Sequence, residues 1–393
     1  MRLVQLSPKP PYPPHDGGAI GNAYFLELWK AAGWEACALV MDTYKHPYDP
    51  SYPTPVPLKA VSVNTRPSWW GAFLNLFSTE PYHVMRFRSK AYRESLLALI
   101  REFQPDLIQV ESPYLTQYLD KLGIPAVYRL HNIEWQIWER HAQKQHQPFK
   151  AYLCLQARRI QRYEAKSLLD YMGLLPISEK EAEWAHRAGY KGLMEIFPFG
   201  IDIESYPYEE ATCEAPPKIG FIGGLDWLPN QEGLVWFLEE VWPHFKRRHP
   251  TATLSIAGRN CPRWFYRYAD ANTHILGQVP DAKAFLRDHE ILIVPLFSGS
   301  GVRIKLIEAF AMGRAIVATS IAAESLVCTP GEHLLIADTA YGFMDLLSTV
   351  YVDENLRRSL SRAARRLAEK HYDRRVLLPQ LKAFYARVLG RQL

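Results

Sequence analysis

Residues 291–319 constrain this chain most. An apolar run, 291–294, stops at the loop Phe297-Ser298-Gly299-Ser300-Gly301, which opens a segment of helical period. Gly313 stands where a helix C-terminus favours a left-handed residue, and a second apolar run, 315–318, follows. The order is strand, tight loop, helix, strand. Free backbone N–H groups at such a helix start attract an anion, and glycines let a ligand approach the backbone closely. Ser300, Gly301 and Val302 form that approach. Lys305 and Glu308, three residues apart, share a helix face near it, and Arg303 leaves the first turn. The cations suit a phosphate. The glutamate suits another task, such as accepting hydrogen bonds from vicinal sugar hydroxyls, so the combination points to a nucleotide sugar.

Two other phosphate motifs fail. A Walker loop needs a hydroxyl residue after its lysine, and Leu306 follows Lys305; the dinucleotide fingerprint needs a third glycine where Ile304 stands. What residues 295–319 resemble is the C-terminal donor-binding motif of family 4 glycosyltransferases of the GT-B fold, in the form Gly-Ser-Gly-x-Arg-x-Lys-x-x-Glu met in bacterial polysaccharide and glycan biosynthesis. A buried strand-loop-helix with a solvated Lys–Glu pair is the plainer alternative, because glycine-rich turns before helices are common. The rest of the chain weighs against it.

A length of 393 residues predicts two or three domains. Net charge +5 and pI near 8.8 are too mild for a nucleic-acid binder, although they suit a protein that meets anionic ligands or an anionic membrane surface. The five cysteines are odd in number and carry no Cys-x-x-Cys spacing, which reads as reduced, cytosolic and free of metal. The N-terminus reads as a strand running into prolines rather than as a leader, and no run is apolar enough to span a bilayer.

Taken in order, residues 2–7, 19–32 and 36–41 read as strand, helix and strand. The intervening loop is rich in proline and ends in Gly17-Gly18 at a helix start, outside the carboxyl end of a strand, where open α/β sheets gather ligands. It resembles the loop that family 4 enzymes place over the donor phosphates and acceptor. Residues 43–67 are weakly periodic. Next, Trp69, Trp70, Phe73 and Phe77 precede Arg86, Arg88, Lys90 and Arg93, a pattern that fits docking on anionic lipid headgroups or, equally, aromatics packed into a core beside a solvated basic face. Strands are expected at 106–111 and 126–130; His131 follows the second, where it faces a ligand crevice, and in the resemblance this histidine meets the donor sugar. Ser178 to Glu181 reads as a capping box. Residues 199–202, Phe-Gly-Ile-Asp, resemble the turn that closes the family's N-terminal domain, and residues 203–218 read as a linker.

The second half restarts the pattern. Apolar runs at 219–222, 253–257 and 274–276 end in loops bearing Gly223 and Gly224, Gly258 and Arg259, and Gly277, Gln278 and Val279; these resemble the family's phosphate, base and ribose contacts in that order. Helices are expected at 231–241, 353–371 and 375–389, the last crossing back to the first domain in this fold. The expected domains are 1–203 with 375–393, a linker 204–217, and 218–374.

Two departures from the family pattern stand out. In Glu-x7-Glu the second acid is Glu308 but Ser300 replaces the first, and the loop 224–230 lacks the Arg and Lys that usually hold a diphosphate, which leaves Arg303 and Lys305 as replacements. The resemblance implies an α/β GT-B protein of two facing doubly wound domains with the site in an interdomain cleft. It implies a retaining transferase moving a sugar from a UDP- or GDP-sugar to a glycan or lipid-linked glycan, with His131, Arg303, Lys305 and Glu308 as the catalytic set, no cofactor and no metal. A nucleotide-sugar 2-epimerase of the same fold and a non-catalytic sugar-nucleotide-binding protein are the alternatives.

Overall fold

Mostly apolar runs of four to six residues become parallel strands buried on both faces, with Gln5 in the first and Arg129 in another as buried polar exceptions. The computed structural model describes residues 1–14, 16–208, 216–299 and 303–392. They form two units, Met1–Phe199 with Leu378–Leu393, and Gly200–Leu377.

The first unit runs β1 (Arg2–Ser7), α1 (Gly17–Ala31), β2 (Glu35–Asp42), β3 (Leu58–Ser62), α2 (Trp69–Asn75), α3 (Tyr82–Met85), α4 (Lys90–Phe103), β4 (Leu107–Val110), β5 (Ala126–Leu130), α5 (Glu134–Gln143), α6 (Phe149–Ser167), β6 (Gly173–Pro176), α7 (Glu179–Arg187) and β7 (Leu193–Met194). Among the described residues its seven strands form one sheet in the order β3-β2-β1-β4-β5-β6-β7, every adjacent pair parallel. The order reverses between β1 and β4, the switch point outside whose carboxyl ends a crevice opens. Strand β3 escapes the periodicity of residues 43–67 because it is a half-exposed edge strand with no fully buried residue. The Ser178 side-chain half of the capping box is not realised. Ser178 is the N-cap of α7, but its hydroxyl donates to the Glu181 carboxylate and makes no side-chain bond to the helix backbone.

The second unit runs β8 (Ile219–Ile222), α8 (Leu228–Trp236), α9 (Trp242–Arg248), β9 (Leu254–Ala257), β10 (Thr273–Gly277), α10 (Ala282–Arg287), β11 (Ile291–Val294), α11 (Ile304–Ala311), β12 (Ala315–Ala318), α12 (Ser320–Ala323), β13 (Leu335–Ile336), α13 (Ala340–Val352) and α14 (Glu354–His371). Helix α15 (Arg374–Leu389) follows, and its residues from Leu378 onward group with the first unit. The six strands described here form a parallel sheet ordered β10-β9-β8-β11-β12-β13, which reverses between β8 and β11. Helix α8 starts ahead of the expected residue 231, since Pro229 falls in its first turn, where a missing N–H costs nothing. A π-helical turn, Phe237–Val241, then joins it to α9. Gly313 closes α11 at φ 63°, the left-handed conformation its position called for.

Candidate functional site

In the second unit, the loops after β8, β9, β10 and β11 lie at the carboxyl edge of one parallel sheet, and β8 and β11 are its switch pair. The loop after β8 is tied down by backbone bonds: Gly223 N–H donates to Ala257 O at 3.1 Å, and Leu225 N–H to Arg259 O at 3.0 Å. The Arg259 guanidinium lies beside this loop, its Nε 3.8 Å from where a Cβ on Gly224 would be. Gln278 and Val279 follow β10 directly, one strand further out, with the Gln278 side chain exposed.

Helix α11 points two of its side chains at separate anchors. Lys305 Nζ sits 4.2 Å from the Phe221 ring centroid and donates to Asn230 Oδ1 at 3.3 Å, while the Asn230 amide donates to Gly224 O at 2.8 Å. Burial of the ammonium, and then the charge of Arg303, lower the Lys305 pKa to about 7. Arg303 is the N-cap of α11, buried, with its guanidinium 5.3 Å from the centroid of Trp227. Both cations therefore reach the 224–230 loop, which has no basic residue of its own. Glu308, one turn further along, accepts from the Tyr206 hydroxyl at 2.8 Å. Burial raises its pKa, opposed by the Tyr206 bond and by Lys283, whose ammonium lies 4.1 Å from the Tyr206 ring centroid. Ser300, Gly301 and Val302 lie outside the described residues.

In the first unit His131 follows β5, the strand next to β4 at the switch point. Its Nε2 lies 2.7 Å from Oε2 of Glu111, whose side chain is 0% exposed. Burial pulls the imidazole pKa down, and Glu111 opposes that. Gly17 and Gly18 begin α1 as expected of them, but that helix start is already capped: Asp16 accepts from Ala19 N–H at 2.9 Å and from Lys9 Nζ at 2.5 Å. Burial alone would raise the Asp16 pKa, yet Lys9 and the backbone bond hold it below the usual value. The segment between β3 and α4 resolves differently from a core cluster, because Trp69 and Phe77 are 87% and 82% exposed. Of the cations that follow, Arg86 Nε donates to Thr65 O at 2.8 Å, Arg88 pairs with Glu80 at 3.0 Å, and Lys90, at the start of α4, lies 3.7 Å from Glu94 with its side chain exposed.

Several supporting residues carry no sequence signal. Asn230 and Trp227 lie in a loop without cations, though an amide and an aromatic face are what an imported Lys and Arg need. Tyr206 falls within the expected linker, and no local signal connects it with Glu308. Glu111 falls at the end of an expected strand, and nothing near it in sequence points to His131. Among the described residues, no group of three His, Cys, Asp or Glu side chains could hold a metal ion.

Comparison with known proteins identifies the class of the chain. Residues 53–205 match the model for Glycosyltransferase Family 4, and residues 216–353 that for Glycosyl transferases group 1. A Klebsiella pneumoniae relative, an uncharacterized 44.6 kDa protein in cps region, is 24% identical over 86% of this chain and 87% of its own length. The phosphatidyl-myo-inositol mannosyltransferase of Mycobacterium tuberculosis is 29% identical over 56% of this chain, a match spanning 60% of that relative. Sucrose-phosphate synthase from Thermosynechococcus elongatus superposes with TM-score 0.73 at 15% identity, covering 99% of this chain and 100% of that one. Anabaena HepE in complex with UDP-glucose gives 0.68 at 12% identity, covering 98% and 99%. WaaG, a glycosyltransferase involved in lipopolysaccharide biosynthesis, gives 0.64 at 16% identity, covering 96% and 98%. The structural likenesses establish the fold, and the matched models, which describe glycosyl transfer and lend no support to an epimerase, establish the class. With two parallel-sheet Rossmann-like domains matched in turn by these two models, the chain is a glycosyltransferase of the GT-B fold.

Proposed function

We propose that the chain is a retaining glycosyltransferase that moves a sugar from a UDP- or GDP-sugar to a glycan or lipid-linked glycan, working without a metal at the cytoplasmic face of a membrane. The observation that carries this reading is the convergence of Arg303 and Lys305 on the cation-free loop after β8, at the switch point of the second sheet. A diphosphate there meets two positive charges in a half-buried setting, where each charge acts more strongly than in water. Glu308 is assigned to the ribose hydroxyls, and Gly223, Gly224, Arg259, Gln278 and Val279 to the remainder of the nucleotide. His131 is assigned to the transferred sugar. As the sugar–phosphate bond loosens, Arg303 and Lys305 stabilise the charge gathering on the leaving diphosphate, and that phosphate takes the acceptor's proton, so no dedicated base is required.

For the acceptor, support comes from the relative named as a phosphatidyl-myo-inositol mannosyltransferase and from α2, whose Trp69, Trp70, Phe73 and Leu74 are exposed together. Apolar side chains grouped this way on one short helix suit shallow insertion at a bilayer surface. Among the described residues no helix is long and apolar enough to cross a membrane, so contact of this kind is peripheral.

Thermal denaturation with UDP-glucose, GDP-mannose and an ADP-sugar tests the donor half. A ligand present at 100 times its dissociation constant adds about 2.7 kcal/mol of stability, an easily read shift. A shift with one donor that disappears in Lys305→Met supports the assignment; an equal shift in that variant removes Lys305 from the site.

A further inference from the structure

The first unit holds a chain of buried polar side chains that the proposed transfer does not use. Glu111 stands immediately beyond β4. Its Oε1 accepts from Gln5 Nε2 on β1 at 2.9 Å and from Gln109 Nε2 on β4 at 2.6 Å. Gln109 is itself oriented, because its amide oxygen accepts from the Tyr385 hydroxyl, which forces the amide N–H groups toward Glu111. The remaining oxygen, Oε2, faces His131 Nε2 at 2.7 Å. Gln5, Gln109 and Glu111 are all buried, where an unpaired polar group is costly; Gln5 Nε2 is held in addition by donating to Asn22 O at 3.0 Å, while Gln5 Oε1 finds no partner.

We infer that Glu111 is a positioning residue that sets which nitrogen of His131 is the acceptor: the carboxylate accepts a hydrogen bond from Nε2–H, and the neutral ring is left with a bare lone pair on Nδ1. A carboxylate has only acceptors to offer, so a close contact at Nε2 requires the proton there. The opposite edge of the ring lies toward α1, where a Cβ on Gly21 would come 3.5 Å from Cε1 and 3.9 Å from Nδ1. The charged groups acting on the ring besides Glu111 are Arg129 on β5 and Lys9 in the loop after β1, and both disfavour a second proton. Nδ1 is thereby an acceptor for a hydroxyl, the group a sugar offers in abundance. This last step rests on the reading that His131 meets the transferred sugar; the tautomer itself does not.

The experiment is ¹⁵N NMR of the full chain labelled at histidine, with the His131 signals identified by their loss in His131→Asn. The wild type is expected to show a protonated Nε2 and an unprotonated Nδ1. In Glu111→Gln the new amide oxygen must still accept from Gln5 and Gln109, so its N–H turns to His131 and the two nitrogens exchange roles. A wild-type ring protonated at Nδ1 overturns the inference even if the variant does not fold, and so does a folded Glu111→Gln with an unchanged pattern. KM for the sugar nucleotide provides the second readout, expected to rise about tenfold in Glu111→Gln with the loss of one hydrogen bond. If the tautomer switches while KM is unchanged in both Glu111→Gln and His131→Asn, Glu111 keeps its positioning role and it is the sugar-contact reading of His131 that fails.

Discussion

The Tyr206 hydroxyl donates to Glu308 Oε1 across 2.8 Å, joining the segment after β7 to α11, the helix between β11 and β12 of the second sheet. The bond partly offsets the burial that raises the carboxyl's pKa, and so favours its charged form.

Glu308→Ala is expected to weaken nucleoside diphosphate binding by roughly tenfold to a hundredfold, since hydrogen bonds to a charged acceptor are worth about 1.5–3 kcal/mol. Tyr206→Phe removes a bond that lowers the Glu308 pKa, so that pKa rises further. Affinity in this variant then begins to fall at a higher pH, as acidification protonates the carboxyl. Calorimetry across the acid range reads both effects; wild-type affinity in a folded Glu308→Ala would take Glu308 out of the site.

Lys305 predicts proton uptake. With its pKa near 7 in the free protein, the amine is mostly neutral at pH 8, and a bound diphosphate moves the pKa back toward the ordinary 10.5. Binding at pH 8 should therefore take up close to one proton and at pH 6 close to none, measured by calorimetry in buffers of different ionisation enthalpy. The same depressed pKa means that the free protein's stability falls as pH drops from about 10.5, where the unfolded chain's amine charges, to about 7, below which the buried amine charges as well and the loss levels off. Lys305→Met should accordingly raise the melting temperature more at pH 6 than at pH 9. No uptake at pH 8 would remove this account.

Catalysis is expected to persist in EDTA, because Arg303, Lys305 and the N-terminus of α11 supply the positive charge the diphosphate needs. Activity abolished by chelation and restored by Mg²⁺ or Mn²⁺ contradicts it.

Membrane docking is expected to depend on aromatics more than on the neighbouring cations. Arg86 holds the Thr65 carbonyl, so reversing its charge disturbs the fold, and Arg88 and Lys90 are paired with acids. The triple variant Trp69→Ser, Trp70→Ser and Phe77→Ser should lose flotation with anionic vesicles while its melting temperature stays put, because these side chains are exposed. Salt should weaken wild-type binding only modestly. A wild-type chain that ignores anionic vesicles at low salt sinks the idea and favours a soluble acceptor.

Gly233→Ala should be among the most damaging single changes in the second unit. A Cβ there would stand 1.5 Å from the carbonyl oxygen of Pro295, so α8 and the loop after β11 could no longer meet. Backbone cannot step aside as a side chain does, and a loss of about 3 kcal/mol or more is expected in chemical denaturation.

What the sequence determined by itself was the alternation of strand and helix and its consequence, two parallel sheets. Strands buried on both faces read as near-continuous apolar runs, and for that reason Ile219–Ile222 was legible to the residue, as was Ala126–Leu130 despite the buried Arg129 within it. Glycine at a left-handed helix end was legible too, since its signal is local. Edge strand β3 was not, because half-exposed backbone carries no continuous apolar pattern. Nor could periodicity distinguish Trp69 and Phe77 in a core from the same residues on a surface. Only tertiary structure brought Asn230 to Lys305, Tyr206 to Glu308, and Tyr385 through Gln109 and Glu111 to His131. The first two pairs are 75 and 102 residues apart, and Tyr385 lies 276 from Gln109. No local pattern joins residues so distant; the strand order does, by carrying the ends of separate strands to one edge of a sheet.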